Sequence, residues 1–461
     1  MEPRRKWFAF RRRWIGSLVL VLFLLAGSRP AGAYSVLTHE ALIDLLWWDS
    51  IRPLLLQRYP TLTPAQLREA RAYAYGGCVI QDMGYYPFGN QFFSDLLHYV
   101  RTGDFIRSLF RNAKNANETA FAIGALSHYY GDTIGHPEAV NKAVAKEFPA
   151  LAAKFGPNVN YAEGPHQHVR AEFAFDVNDI VQHRLAPERY LNHVGFEVPV
   201  PLLAKAFYQT YGIPLTTLMH QHRPSMKGYR FSVRKLLPSV AYAETILYRK
   251  HMPTDATGPD IDELNQQIAQ LAKNEKWDLY ETHPGFGTHI MAAIIVILPK
   301  VGALSDLKLH PPNDVAEQDY VKSLLHVADT LRATLAAATK SGKIPNEDLD
   351  TGNDVYPGTY PLEDYAYADL LHRMVADPKA PIPFGIKRDL ESYFTDVSKA
   401  KYLQDKPQLL AQVQADLPVL KTMPTGTQEP DAPLLAAMEA EQQSKDAAQQ
   451  SKQAASTASQ Q

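Results

Sequence analysis

Apolar residues recur at spacings of three and four through most of the chain, as in Ala41-Leu42-Leu45-Leu46, Leu96-Leu97-Val100 and Val321-Leu324-Leu325-Ala328-Leu331. This is the period of a helix face, and no segment sustains the alternation of a half-buried strand. The fold is therefore read as all-helical. Pro60, Gly76-Gly77, Pro87, Gly156-Pro157, Pro199 to Pro201 and Gly258-Pro259 divide the pattern into separate helices. With 461 residues, 46% of them apolar, the chain can bury one large core or two ordinary ones.

Residues 1–33 have the three parts of an export signal. Arg4, Arg5, Lys6, Arg11, Arg12 and Arg13 form a basic arm, Trp14 to Ala26 an apolar run, and Ala31-Gly32-Ala33 a small-x-small cleavage site. The run is shorter than the ~20 residues that span a bilayer, so cleavage is expected instead of anchoring, with Tyr34 as the new N-terminus. Arg4-Arg5-Lys6-Trp7-Phe8 also loosely fits a twin-arginine signal, so the export route stays open between that and general secretion. The whole chain has 47 basic and 49 acidic residues, a formal −2; without the segment's seven bases and Glu2 it has 40 and 48, a formal −8. An acidic exported protein located in periplasm or medium is not expected to bind nucleic acid stably. Its one cysteine, Cys78, excludes an intramolecular disulfide and reads as a small buried apolar residue.

Composition suggests further boundaries. Residues 34–254 form the first helical domain, and 255–425 a helical region of unassigned role. The latter includes an apolar stretch at Met291 to Leu298, a long helix over 313–341 and a Pro-, Tyr- and Asp-rich loop around 345–362. Residues 426–461, rich in Ala, Gln, Ser and Lys, lack a core-forming face and read as a disordered tail.

Of the sixteen histidines, one cluster is the most informative: His128-Tyr-Tyr-Gly-Asp132-Thr-Ile-Gly-His136-Pro137. Asn115, with Glu118 three residues on, makes a helix start, and Ala120 to Leu126 leads into the cluster as helix interior. Four residues advance a helix by about 400°, so His128 and Asp132 share one face, and His136 follows on that side until Pro137 ends the helix. His168-Val-Arg-Ala-Glu172 repeats the spacing. A helix that presents imidazole nitrogen and carboxylate oxygen one turn apart offers a preformed half-site for zinc, although a single such pair is usually an ordinary surface pair. Three upstream candidates join them: His39, after a Thr38 that would cap the next helix; Asp82, beyond the Gly76-Gly77 pair; and His98.

The ordered series His39, Asp82, His98, His128-x3-Asp132-x3-His136 and His168-x3-Glu172, starting just after a signal cleavage site, resembles the zinc-dependent phospholipase C family. That family is related to trinuclear zinc nucleases that degrade single-stranded nucleic acid. The resemblance covers roughly 34–180, extending toward 250. It implies two to three zinc ions per chain. Asp82, His98, His128 and Asp132 would hold one, and His136, His168 and Glu172 a second. The α-amino nitrogen and carbonyl oxygen of Tyr34 would hold the third, with His39 and a shared Asp132. Bacterial members usually have Trp at the mature N-terminus and a longer step from the Asp to the next His; the step of four here is more like the N-terminal domain of glycosylphosphatidylinositol-specific phospholipase D.

The resemblance also implies the reaction, hydrolysis of phospholipid at a membrane surface to diacylglycerol and a phosphorylated headgroup, with Asp82 orienting or deprotonating the attacking water. A nuclease or 3′-nucleotidase with the same metals is the second reading, and a helical binding protein with structural metals the third. Glu172 at the last motif, the absent disulfides and the formal −8 favour the lipid substrate. Trp47, Trp48, Tyr85, Tyr86, Phe88, Phe92, Tyr99, Tyr129 and Tyr130 could line an apolar cleft. His220, His222, His283, His289, His326 and His372 read as structural or solvated.

Overall fold

A computed structural model describes residues 35–86, 88–218, 222–253, 256–281, 292, 309–337 and 344–426. The export signal, Tyr34, Pro87, His220, His283, His289, the tail from 427 and, apart from Ala292, the stretch Met291 to Leu298 lie outside them. The described chain is all-α; its extended pairing amounts to two isolated bridges, Glu347 with Asp354 and Ile382 with Thr425. The helices that matter below are α1 (Val36–Leu46), α2 (Pro64–Gly77), α3 (Gln91–Tyr99), α4 (Thr102–Asn112), α5 (Ala116–Gly135), α6 (Asn141–Glu147), α7 (Pro165–Val181), α8 (Val200–Tyr211), α9 (Leu237–Tyr248), α10 (Pro259–Glu275), α11 (Asp314–Ala337), α12 (Pro361–Val375) and α13 (Pro407–Thr422). No helix among the described residues is long and apolar enough to cross a membrane.

Local chemistry sets where these helices begin. Thr63 and Gln66 form a reciprocal capping box at the start of α2, and the Asn115 side chain accepts the Glu118 N–H at 2.9 Å, as its position predicts. Thr38 is not a cap. It lies inside the first turn of α1, where Asp176 of α7 accepts the backbone N–H groups of Leu37 at 3.0 Å and Thr38 at 2.9 Å, and the Thr38 hydroxyl at 2.7 Å. A remote carboxylate thus satisfies the orphan donors that a local side chain ordinarily would.

Gly76 and Gly77 do mark a boundary: they form the last turn of α2, which ends at Gly77. Their lack of a side chain serves close packing: a Cβ on Gly77 would lie 2.1 Å from the Phe121 carbonyl oxygen, and one on Gly124 2.1 Å from that of Ala74. The backbones of α2 and α5 therefore touch. Pro137 is the second difference. After Gly135 the chain continues through a five-residue π turn, His136–Val140, directly into α6. The wider turn, closed by the Asn141 N–H on the His136 carbonyl, accommodates a residue that lacks its own N–H.

One apolar core runs from Val36 to Met423 and includes Leu42, Phe121, Ile123, Leu264, Leu324, Leu371 and Leu420. Each such side chain contributes ~1.5–3 kcal/mol on burial. A second cluster, including Phe173, Val177, Val240 and Ala243, packs α7 on α9. α11 lies along α5 and α1, α10 along α11, and α12 against α3 and α13. Buried Arg71 of α2 ties this arrangement electrostatically, bonding to Asp44 of α1 and Glu275 of α10.

Candidate metal centre

α1, α3, α5 and the 3₁₀ turn Gln81–Tyr85 converge where α2 ends. They bring His39, Asp82, His98, His128 and Asp132 together, each almost wholly buried. Asp132 is their common neighbour. Its Oδ1 is 3.3 Å from His39 Nε2, and its Oδ2 is 3.0 Å from His128 Nε2 and 3.7 Å from His98 Nε2. Asp82 Oδ1 is 3.3 Å from His98 Nε2 and 3.9 Å from His128 Nε2. The His39 and His128 rings stack with centroids 4.2 Å apart.

A second group adjoins the first. His136, the first residue of the π turn, and the α7 pair His168 and Glu172 converge on one point: Glu172 Oε1 is 3.0 Å from His168 Nε2 and 3.7 Å from His136 Nε2. The structure thus assembles every described residue of the predicted series into three groups whose ligand atoms lie within 4.8 Å of one another: His39, His128 and Asp132; Asp82, His98 and His128; and His136, His168 and Glu172. Tyr34 is outside the described residues, but Asp176 holds the start of α1 against α7 one turn beyond Glu172.

These distances suit a shared cation. Two ligands bound ~2.0–2.1 Å from one tetrahedral zinc are ~3.3–3.4 Å apart. The tautomers agree. His98 Nδ1 donates to the Ser94 carbonyl at 2.8 Å, His128 Nδ1 to the Cys78 carbonyl at 3.0 Å and His136 Nδ1 to the Leu349 carbonyl at 2.7 Å. A carbonyl only accepts, so each Nδ1 carries the proton and Nε2 is left as the ligating nitrogen. Both Asp132 oxygens, Asp82 Oδ1, His98 Nε2, His128 Nε2, His168 Nε2 and Glu172 Oε1 are buried without a hydrogen-bond partner. Imidazole Nε2 atoms and carboxylate oxygens 3.0 Å apart need a proton or a cation between them, and the residues fit a metal.

Electrostatics differ between the groups. Burial alone would raise the Asp132 carboxyl, but His128 and His39 outweigh it and hold the pKa below normal. Burial works against protonation of His98, yet Asp82 and Asp132 raise it to about 9, and His128 is raised in the same way. In the second group burial dominates. It lowers His168 well below its usual value, helped by His136, and raises Glu172 well above its own, helped by Asp82 and Asp132. Burial also lowers His39.

Residues 38–220, which contain every described member of this constellation, match the family model for zinc dependent phospholipase C. That segment belongs to the zinc-dependent phospholipase C family. No curated protein and no solved structure matches the chain. The match supports a zinc-dependent phospholipase C-like hydrolase fold for this segment, with zinc as the ion the family leads one to expect.

The phospholipase C segment does not build the site's surroundings alone. The Leu349 carbonyl on His136 comes from residues 344–360, beyond the match, and with it comes Asp350, whose Oδ2 accepts the hydroxyls of Tyr99 at 2.9 Å and Tyr360 at 2.6 Å. Sequence reasoning found a loop there but no role for it. Asp176 was equally hidden, although its position one turn after Glu172 on the same helix face was an available signal. Cys78 is buried as expected, and its thiol donates to the Tyr75 carbonyl at 3.3 Å. His326 and His372 are exposed and pair with Glu138 and Asp416. Among the aromatics near the motifs, Trp48 and Phe88 are exposed, whereas Trp47, Tyr85, Phe92, Tyr99 and Tyr129 are buried.

Proposed function

We propose that the protein is an exported phospholipase C that hydrolyses phospholipid at a membrane surface to diacylglycerol and a phosphorylated headgroup. The observation that carries this reading is Asp132, a buried carboxylate shared by three imidazoles and without a hydrogen-bond donor on either oxygen. When bound, zinc would supply charge for the non-bridging phosphate oxygens and lower the pKa of a water from ~15.7 toward ~7.

The chain's own residues do the rest. The Ser94, Cys78 and Leu349 carbonyls lock three imidazoles with Nε2 aimed inward. Asp82, placed by the turn that follows α2, is the group that orients the attacking water or accepts its proton. The water's hydroxyl joins phosphorus as the bond from phosphorus to the glycerol oxygen breaks, and the displaced oxygen takes a proton to become diacylglycerol's alcohol. Burial of the set strengthens each interaction over its value in water. Export rests on the segment ending at Ala33, and a lipid substrate is favoured by Glu172 and the formal −8 of residues 34–461.

Metal analysis of the processed protein, with phosphatidylcholine and single-stranded RNA as parallel substrates, tests this reading. The expectation is two or three zincs per chain, lipid cleavage and no cleavage of RNA. Fewer than two zincs would overturn the multinuclear centre. RNA cleavage without lipid cleavage would make the protein a nuclease.

A further inference from the structure

The loop at 346–360 is built into the centre more firmly than a covering loop would require. The two peptide groups of Leu349 face opposite halves of the site: its N–H donates to the His98 carbonyl at 3.0 Å, and its carbonyl accepts His136 Nδ1 at 2.7 Å. Asp350 follows, 2% exposed. Its N–H donates to Asp348 Oδ1 at 3.1 Å and its carbonyl accepts Asn141 Nδ2 at 3.1 Å, while its Oδ2 holds the Tyr99 and Tyr360 hydroxyls. Its Oδ1 stands 3.7 Å from His136 Nδ1, a carboxyl oxygen beside the ring.

The neighbouring residues fix this turn. Asp348 Oδ1 also accepts the Thr351 N–H at 2.7 Å, and Tyr360 accepts the Ala162 N–H at 3.0 Å. Gly352 has φ +70°, and a Cβ there would lie 2.2 Å from the Thr133 carbonyl oxygen, so the loop rests directly on the last turn of α5. On its other flank Thr102 Oγ1 donates to the Glu347 carbonyl at 2.7 Å, and Tyr129 donates to Glu347 Oε2 at 2.8 Å.

We propose that the Leu349-Asp350 turn, supplied from outside the family-matched segment, is a working part of the metal centre, with Asp350 the positioning residue that seats the Leu349 carbonyl on His136 and so sets metal affinity at the His136, His168 and Glu172 group. The physical reason is that a ligand imidazole is only as well aimed as the acceptor on its other nitrogen. Loss of such an outer partner ordinarily weakens metal binding ~10- to 100-fold. Asp350 touches no reacting atom; it acts through Leu349 and through the oxygen it places beside the ring. This inference rests on the metal reading above.

The test uses the full processed chain, stripped of metal and titrated with zinc against a chromophoric chelator, and in parallel with Co²⁺ followed by its visible absorption. Asp350→Ala is expected to weaken one class of site ~10- to 100-fold and alter the Co²⁺ spectrum of that ion alone, with the remaining affinity unchanged. Asp350→Asn, which keeps an oxygen for the two tyrosines, should recover part of the loss. Wild-type affinity in Asp350→Ala would overturn the proposal, as would equal weakening of every site. If Asp350→Ala does not fold, Tyr360→Phe decides: weakening confined to one site supports the role, and unchanged affinity overturns it. A wild-type chain that binds no zinc removes both this proposal and the metal reading, whereas a zinc-loaded wild type with unaffected variants removes this one alone.

Discussion

The two halves of the centre use the same residue types and distances but opposite electrostatic solutions. Around Asp132, acids and imidazoles offset one another: the carboxyl is held down by His128 and His39, while His98 and His128 are raised by Asp82 and Asp132. In the Glu172 group burial wins: neighbouring carboxylates add to it at Glu172, and at His168 it outweighs Asp132, so the carboxyl is pushed up and the imidazole down although their atoms are 3.0 Å apart. Both halves must release protons to take a metal: the first from imidazoles that its acids keep charged, the second from a carboxyl that burial keeps neutral. The difference also has a positional side. Asp132 is ringed by three ligand imidazoles, whereas Glu172 meets two and depends on an outside loop for the orientation of one of them.

The largest expected effect tests the shared role of Asp132. Asp132→Asn should remove metal from both groups that contain its neighbours and cut activity by at least ~10²- to 10³-fold, the scale of losing one preorganised charge-stabilising element. Zinc content and lipid hydrolysis measured together check it, and a variant that keeps every zinc would show the halves to be independent. Glu172→Gln should act on one half only. Zinc titration should find the His136 and His168 site weakened beyond the ~100-fold of an outer-shell change, with the Asp132 sites intact. Simultaneous loss of all metal would mean that the second half supports the first.

The smallest effect concerns carboxyls near the site that are not ligands. Burial raises Asp95, Asp176 and Asp348 to about 6. Unfolded, such groups titrate near ~3.9, so between about pH 4 and 6 the folded chain binds more protons than the unfolded one. Their contribution to stability is complete below ~4 and lost as pH rises through 6. His168 and His39, lowered by burial, oppose this, because their contribution falls away as pH drops below ~6.5. Asp350, raised by burial to about 7, and Glu363, raised to about 10, add to the carboxyl side and titrate mainly above pH 6, so the metal-free protein should melt ~2 °C or more higher at pH 6 than at pH 8. A melting temperature that instead climbs with pH would show that the neutral histidines of the second half dominate.

The ligand series was legible because helices repeat. His128 and Asp132, and His168 and Glu172, stand four apart, a spacing that turns sequence into geometry without knowledge of the rest of the fold. The all-helical architecture was legible for the same reason. Thr38 and Pro137 misled because local rules assign caps and stops from neighbours, whereas Asp176 reaches Thr38 from 138 residues away and a π turn carries the chain past Pro137. Leu349 was beyond such reasoning altogether. Its contribution is a carbonyl oxygen, which every residue has, meeting His136 across 213 positions.

The π turn at His136 also acts as a phase shifter. It places an extra residue in one turn of an otherwise continuous rod from Ala116 to Glu147, so everything beyond it is rotated by about 100° relative to an unbroken helix. Upstream of the shift, the rod's face is set by His128 and Asp132; downstream, by Ala143 and Val144 in the core and by Asn141 on the Asp350 carbonyl. Deleting one residue between His136 and Asn141 would restore a regular helix and leave every ligand in place, yet it would turn the downstream face out of the core and pull Asn141 from the loop. A single surplus residue lets one helix hold metal ligands with its first part and grip the loop that aims them with its second.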